Sequence, residues 1–197
     1  MSGESGFNFE DRADARILRD GNLLALVQQA SKLGLGGMFH VECYDKDGNL
    51  KWKDVAKNGV TVVGIHHVLE TVFRGGTPST TWYMGLIVDP VSGGGPSEND
   101  TMSSHANWTE DTDYSETNRP TWAPDAAAAK AITNSTTTAD FTINLDGDLY
   151  GIFIVDDNTK SGTSGVLFST APFSGGKQSV KSSDVLKVTY TLNGTNV

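Results

Sequence analysis

Between Asn58 and Asp89 the apolar residues change period twice, and the change marks two elements. Val62, Ile65, Leu69, Val72 and Phe73 recur at three- and four-residue steps, the spacing of one helical face, and predict a helix that packs that face on a sheet. Gly75-Gly76 ends it, because glycine takes the left-handed conformation at a helix C-terminus without a Cβ clash. After a Thr/Pro/Ser linker, Trp82, Tyr83, Met84, Leu86, Ile87 and Val88 form an almost continuous apolar run, which predicts a strand covered on both faces.

Upstream, Ile17, Leu18, Leu23, Leu26, Val27 and Ala30 alternate with Arg16, Arg19 and Gln28 in helical fashion, so residues 11–33 predict one helix or two shorter ones divided at Gly21-Asn22. Gly34 to Gly37 predicts a hinge. Strict alternation follows in Phe39, Val41 and Cys43, and Leu50-Lys51-Trp52 returns after the Asp-Gly turn chemistry of Asp45 to Asn49, which predicts a hairpin. Residues 90–127 are rich in Gly, Ser, Thr, Asn, Asp and Pro and read as a long set of loops that Trp108, Tyr114 and Trp122 anchor by folding back onto the body. Beyond them lie predicted strands at Ala139 to Leu145, Leu149 to Val155, Val166 to Phe168 and Val185 to Leu192. The fold class expected is mainly β, an antiparallel, jelly-roll-like β-sandwich with one packed helix and an N-terminal helical arm. Residues 1–37 would form the arm and hinge, and 38–197 the sandwich body.

Composition narrows the class. An apolar fraction of 37% over 197 residues, with 22 glycines, fits short strands joined by turns. The formal net charge of −9 argues against nucleic acid as a partner, since phosphate binding draws on Lys and Arg. Cys43 is the single cysteine, so no intrachain disulfide or thiolate metal cluster can form, and its strand context predicts a small buried side chain. The sequence holds no run of the ~20 apolar residues that a spanning helix needs, and its acidic start lacks a signal h-region. We expect no membrane partner and no Sec export.

Candidate chemistry is sparse. His66 and Glu70 are four apart on the helix, but the H-E-x-x-H order of a zinc protease is absent. Neither a G-x-S-x-G elbow nor a phosphate loop occurs. Asp45 to Asn49 shares its order with the start of a calcium loop, yet no acidic ligand follows at the twelfth position. Glu110, Asp111 and Asp113, and Asp156 with Asp157, read as solvated loop charge, and whether these loops take a cation is open. The expectation is no enzyme, no catalytic residue, no metal and no cofactor. The candidate subunit interface is the arm stripe of Ile17, Leu18, Leu23, Leu26, Val27 and Ala30. Trp108 and Trp122, with Trp82, are candidate surface aromatics that would stack on sugar rings if the domain were a carbohydrate-binding module.

The run Leu35-Gly-Gly-Met-Phe-His-Val-Glu-Cys-Tyr-Asp-Lys-Asp-Gly-Asn-Leu-Lys-Trp, with Asn58-Gly-Val, Gly64-Ile-His-His-Val-Leu-Glu, Phe73-Arg-Gly-Gly-Thr and Thr81-Trp-Tyr-Met-Gly-Leu-Ile, resembles a family of small virion-associated proteins of tailed bacteriophages. Thr101-Met-Ser-Ser-His-Ala, Trp108-Thr-Glu, Asn118-Arg-Pro-Thr-Trp, Asn158-Thr-Lys-Ser-Gly-Thr-Ser-Gly and Ser183-Asp-Val-Leu-Lys-Val-Thr-Tyr-Thr-Leu extend the resemblance over about residues 35 to 192. It implies a structural role in a virion assembled in the host cytoplasm, without fixing a position on the particle, and it brings no catalytic residues. Within that implication a head decoration or cement protein is the leading expectation. Its partners would be the major capsid protein and further copies of itself, and the alternative is a neck, collar or tail component.

Overall fold

The computed structural model describes residues 14–17, 23–26, 33–88 and 94–196, and the chain divides into two compact units. In the unit of residues 1–34 and 195–197, strands β1 (Asp14–Ile17) and β2 (Leu23–Leu26) pair antiparallel, with Ile17 opposite Leu23 and Asp14 opposite Leu26. The helix expected over 11–33 is therefore corrected at these positions. Short apolar runs do not separate helix from strand by period alone, and Gly21 weakens a continuous helix by about 1 kcal/mol. Of the expected interface stripe, Ile17, Leu23 and Leu26 lie on strands, and Leu18, Val27 and Ala30 lie outside the described residues.

The unit of residues 35–194 is built from strands β3 (Leu33–Tyr44), β4 (Leu50–Lys57) and β5 (Gly59–Val60), helix α1 (Val62–Phe73), and strands β6 (Trp82–Val88), β7 (Thr109–Asp111), β8 (Thr121–Trp122), β9 (Ala131–Thr133), β10 (Ala139–Thr142), β11 (Gly147–Val155), β12 (Leu167–Pro172), β13 (Gln178–Val180) and β14 (Val185–Asn196). One sheet has the order β10-β14-β3-β4, with β9 also on β14. The other runs β5-β12-β11-β6-β7, with β13 on β11 and β8 on β6. Phe39, Val41, Phe141, Leu186 and Val188 of the first sheet face Met84, Leu86, Ile152 and Ile154 of the second in one buried core, the arrangement of a mainly antiparallel β-sandwich with one helix.

The near-continuous apolar runs of β6 and β11 have a direct cause. Their second face is covered as well, by a cluster in which Ile87, Phe153, Val155 and Leu167 meet Met102 and Trp108. The polar segment after β6 thus returns across the outside of the sheet. Met102 and Trp108 are its apolar anchors, and Trp108 Nε1 donates to Asp100 Oδ2 at 2.8 Å.

Gly34 to Gly37, expected as a hinge, lies within β3, and the boundary between the two units falls between Gly34 and Leu35. A Cβ on Gly37 would lie 2.5 Å from the Thr191 carbonyl oxygen and 2.6 Å from the Tyr190 hydroxyl oxygen, so the glycine serves a close approach within the sheet. Asn58 secures it: its side-chain oxygen accepts from the Gly37 N–H, and its Nδ2 donates to the Tyr190 hydroxyl at 2.7 Å. Among the described residues no helix is long and apolar enough to cross a membrane.

Candidate interaction surface

Helix α1 docks on the sandwich by its smallest face. Thr61 is the N-cap; its hydroxyl accepts from the Gly64 N–H at 3.0 Å and donates to the Leu167 carbonyl oxygen, and its N–H donates to the Phe168 carbonyl oxygen at 3.0 Å. Gly64 then lies so near β12 that a Cβ would come within 2.5 Å of the Phe168 carbonyl oxygen. Val63 packs into the outer cluster, Val68 packs against the main core, and His67 meets Trp82 edge to face at 5.5 Å. The Arg74 N–H, at 3.1 Å, and the Gly76 N–H, at 2.9 Å, close the C-terminus on the Glu70 carbonyl oxygen, with Gly75 in the left-handed region at φ 75°.

This docking corrects the orientation expected from the sequence. The apolar stripe does not face the sheet. Val62, Leu69, Val72 and Phe73 are exposed, with Val72 at 66% and Phe73 at 74%, and they account for half of the large apolar side chains exposed among the described residues. Gly64 is buried, residues 63, 65, 67, 68 and 71 are half-buried, and 62, 66, 69, 70, 72 and 73 are exposed, so one arc of the helix docks on the body and the other faces outward. Apolar residues gathered on an outward arc are the mark of an interaction surface, whereas single exposed apolar side chains are ordinary.

The expected surface aromatics are corrected in the other direction. Trp108 is only 2% exposed and Trp122 only 7%. Trp108 is stacked under His105 and tilted against Phe153, and Trp122 Nε1 donates to the Tyr190 carbonyl oxygen. Trp82 packs on Phe168 and His67. The aromatics therefore anchor loops, and Trp108 and Trp122 present no open face to a sugar ring.

Among the described residues, one Ser/His/Asp trio has the composition of a hydrolytic triad but not its order. Ser79 Oγ lies 3.2 Å from His67 Nε2 but donates to Asp156 Oδ2 at 2.5 Å, and the Ser79 N–H donates to the same Nε2 at 3.4 Å. A hydrolytic triad needs its carboxylate behind the histidine; here it sits on the serine, and the trio ties the segment after α1 to the end of β11. No group of three His, Cys, Asp or Glu side chains among the described residues could hold a metal ion.

Several carboxylates expected to be solvated are structural. Arg119, fully buried, is clamped by Glu110 through two bonds of 2.8 Å, donates to the carbonyl oxygens of Asp157 and Gly162, and lies over the Phe153 ring. Lys160 sits 3.7 Å above the Tyr114 ring and donates to the Thr112 and Tyr114 carbonyl oxygens. Asp45 accepts from the backbone and side chain of Asn49 and from the Asp47 N–H, which holds its carboxyl below the usual range and closes the turn. Asp184, buried beside Cys43, takes Lys51 and the Lys181 N–H. Burial, with Asp184 adding to it, pushes the Cys43 thiol up to about 12 and leaves it inert.

A cleft of about 590 Å³ lies on β3 and β4 beside Ser174 to Gln178. Of its two carboxylates, Asp54 accepts from the N–H groups of Ser174 and Gly175 and from the Ser174 hydroxyl, and Glu42 accepts from the Tyr44 hydroxyl at 2.6 Å. His40 is exposed on the outer face of β3, and His66 is exposed on α1. No protein-family model, curated protein or solved structure matches the chain.

Proposed function

We propose that the chain is a structural subunit of a bacteriophage virion, a capsid decoration or cement protein that binds the head through subunit contacts and acts without catalysis. One observation carries the assembly role: α1 turns its apolar stripe away from its own sandwich. A helix held to the body by Thr61, Gly64 and Val68, with Leu69, Val72 and Phe73 directed outward, supports a reading in which that stripe is covered by another protein. The sequence resemblance over residues 35 to 192 supports placing that assembly in a phage particle. Weak contacts of this size gain strength when a lattice presents many copies at once. Helix α1 thus stands beside the N-terminal stripe expected from the sequence as a candidate interface.

The test is the protein composition of purified particles, measured by quantitative mass spectrometry on virions produced with this chain tagged. A copy number that scales with the capsid lattice supports head decoration. A number matching a single ring moves the protein to the neck or tail. Its absence from the particles overturns the proposal.

A further inference from the structure

We infer that the outer face of β3 and β4 docks the acidic N-terminal segment, residues 4–11, of a second copy of this chain. This rests on the assembly reading and names one contact between copies. The antiparallel register of the hairpin places Met38 beside Lys57, His40 beside Val55 and Glu42 beside Lys53, each pair on one face, while Phe39, Val41, Cys43 and Ala56 alternate with them into the core. Met38 and Val55 are both exposed and lie diagonally across the two strands. Along β4 the outward positions are Lys53, Val55 and Lys57, an apolar centre with a cation on either side.

The charges on this face are unbalanced. Lys46, Lys51, Lys177, Lys181 and Lys187 each have a carboxylate partner, whereas Lys53 and Lys57 form neither an ion pair nor a side-chain hydrogen bond with a described residue. Glu42, opposite Lys53, is turned to the Tyr44 hydroxyl instead. The cleft of about 590 Å³ continues the face: His40, Lys53 and Val55 line it together with Gln178, in a size range that takes aromatic groups. On a chain of net charge −9, most of whose surface repels acidic groups, this face offers uncompensated positive charge and apolar surface together.

Residues 1–13 lie outside the described residues, and their sequence is the complement of this face. Glu4, Glu10 and Asp11 all precede the first basic residue, Arg12, and Phe7 and Phe9 stand two apart between the acids. In an extended segment that spacing puts both rings on one side. Lys53 and Lys57 are about 13 Å apart along the strand, and the stretch from Glu4 to Glu10 spans about 20 Å when extended, so an acid reaches each lysine while the rings lie on Met38 and Val55. Other acidic stretches near aromatics are engaged within the body: Asp100 accepts from Trp108, and Glu110 clamps Arg119. The segment belongs to a unit separate from the body that carries the face. Two copies that exchange segments reciprocally form a closed dimer with two such contacts.

Carbodiimide cross-linking of a mixture of unlabelled and ¹⁵N-labelled full-length chain, read by mass spectrometry, tests the contact. Amide links from Glu4, Glu10 or Asp11 to Lys53 or Lys57 are expected, with labelled-to-unlabelled pairs among them. No link at Lys53 or Lys57, or links only within a single chain, overturns the inference. In sedimentation equilibrium the wild type should form dimers below ~100 µM that weaken as salt rises. The double variants K53E/K57E and E10K/D11K should each weaken them by about tenfold or more, by setting like charges face to face, with circular dichroism showing the fold intact. An equimolar mixture of the two variants should restore dimers, since each face then meets a segment of opposite charge. A wild type that stays monomeric, a double variant that dimerises as the wild type does, or a mixture that fails to recover overturns the inference. The virion reading fails separately: a chain that dimerises through this face yet is absent from particles refutes that reading and leaves the contact standing, and a monomeric chain on the particle does the reverse.

Discussion

Gly64 and Phe168 decide which way α1 faces: a side chain on the glycine would begin 2.5 Å from the Phe168 carbonyl oxygen and 3.0 Å from its Cα. Alanine improves intrinsic helix propensity at such a site by about 1 kcal/mol. The clash is with backbone, which cannot swing aside as a side chain can, and overpacking of this kind costs about 1–3 kcal/mol. Gly64→Ala should therefore be net destabilising in chemical denaturation, and Gly64→Val more so. Leu69→Ser and Phe73→Ser, on the opposite arc, should change stability by less than about 0.5 kcal/mol. If the outward variants cost as much as Gly64→Ala, the stripe is packed and the orientation of α1 is wrong.

Arg119 and Glu110 form the most deeply buried ion pair among the described residues, with side-chain exposures of 0% and 5%. Removing one partner strands the other charge away from water, at a cost of about 3–5 kcal/mol. Arg119→Met should show that loss in denaturation. It should also open the turn at Asn158 to Gly162, where the Gly162 carbonyl oxygen loses its donor, and so speed proteolysis there. Replacing both partners by apolar residues should recover part of the stability, since neither charge is then left unpaired.

The sequence made some of this legible and concealed the rest for physical reasons. The runs in β6 and β11 announce themselves because both faces of those strands are covered, and the hairpin of β3 and β4 follows from alternation and the Asp-Gly turn. The limits of α1 could be read from Val62 and Gly75, but its orientation could not, because hydrophobic period assumes that apolar residues face the chain's own core. The contrary signal was Gly64 within the helix, with Val68 and Thr71 on the same arc, a face small enough to approach β12. The strands β5, β7, β8, β9 and β13 are two or three residues long and too short to show any period. The clamp of Glu110, Arg119, Asp157 and Gly162 joins loops far apart in sequence, and nothing local marks its members.

Cys43 gives the stability an alkaline limit. Burial raises the thiol from its ordinary 9.0 to about 12. Above pH 9 the unfolded chain loses this proton while the folded chain keeps it, so the unfolded state binds fewer protons and stability falls as pH rises, by about 1.4 kcal/mol per pH unit for one such group. Burial also raises Tyr114 and Tyr190, which add to the fall above pH 10. Denaturation midpoints measured from pH 7 to pH 11 should decline from pH 9 onward. In Cys43→Ala the decline should begin later, once the tyrosines alone govern it. A thiol reagent at pH 8 should label the wild type only after denaturant is added.

The turn before β9 carries a conformational cost that can be removed. Ala128 and Ala131 exchange both backbone hydrogen bonds, at 2.8 and 2.9 Å, around Ala129 and Lys130, whose φ values are 50° and 65°. A two-residue turn with positive φ at both central positions favours Asn-Gly, because each Cβ in the left-handed region clashes with the backbone. All four residues are exposed or half-buried, so nothing in the packing requires alanine and lysine there. Ala129→Asn with Lys130→Gly should stabilise the chain by about 0.5–2 kcal/mol, the strain relieved at two positions less the entropy that glycine adds to the unfolded state. The measurement is the denaturation midpoint of the double variant beside that of the wild type. A double variant no more stable than the wild type would show that the backbone at 129 and 130 is not in the left-handed region.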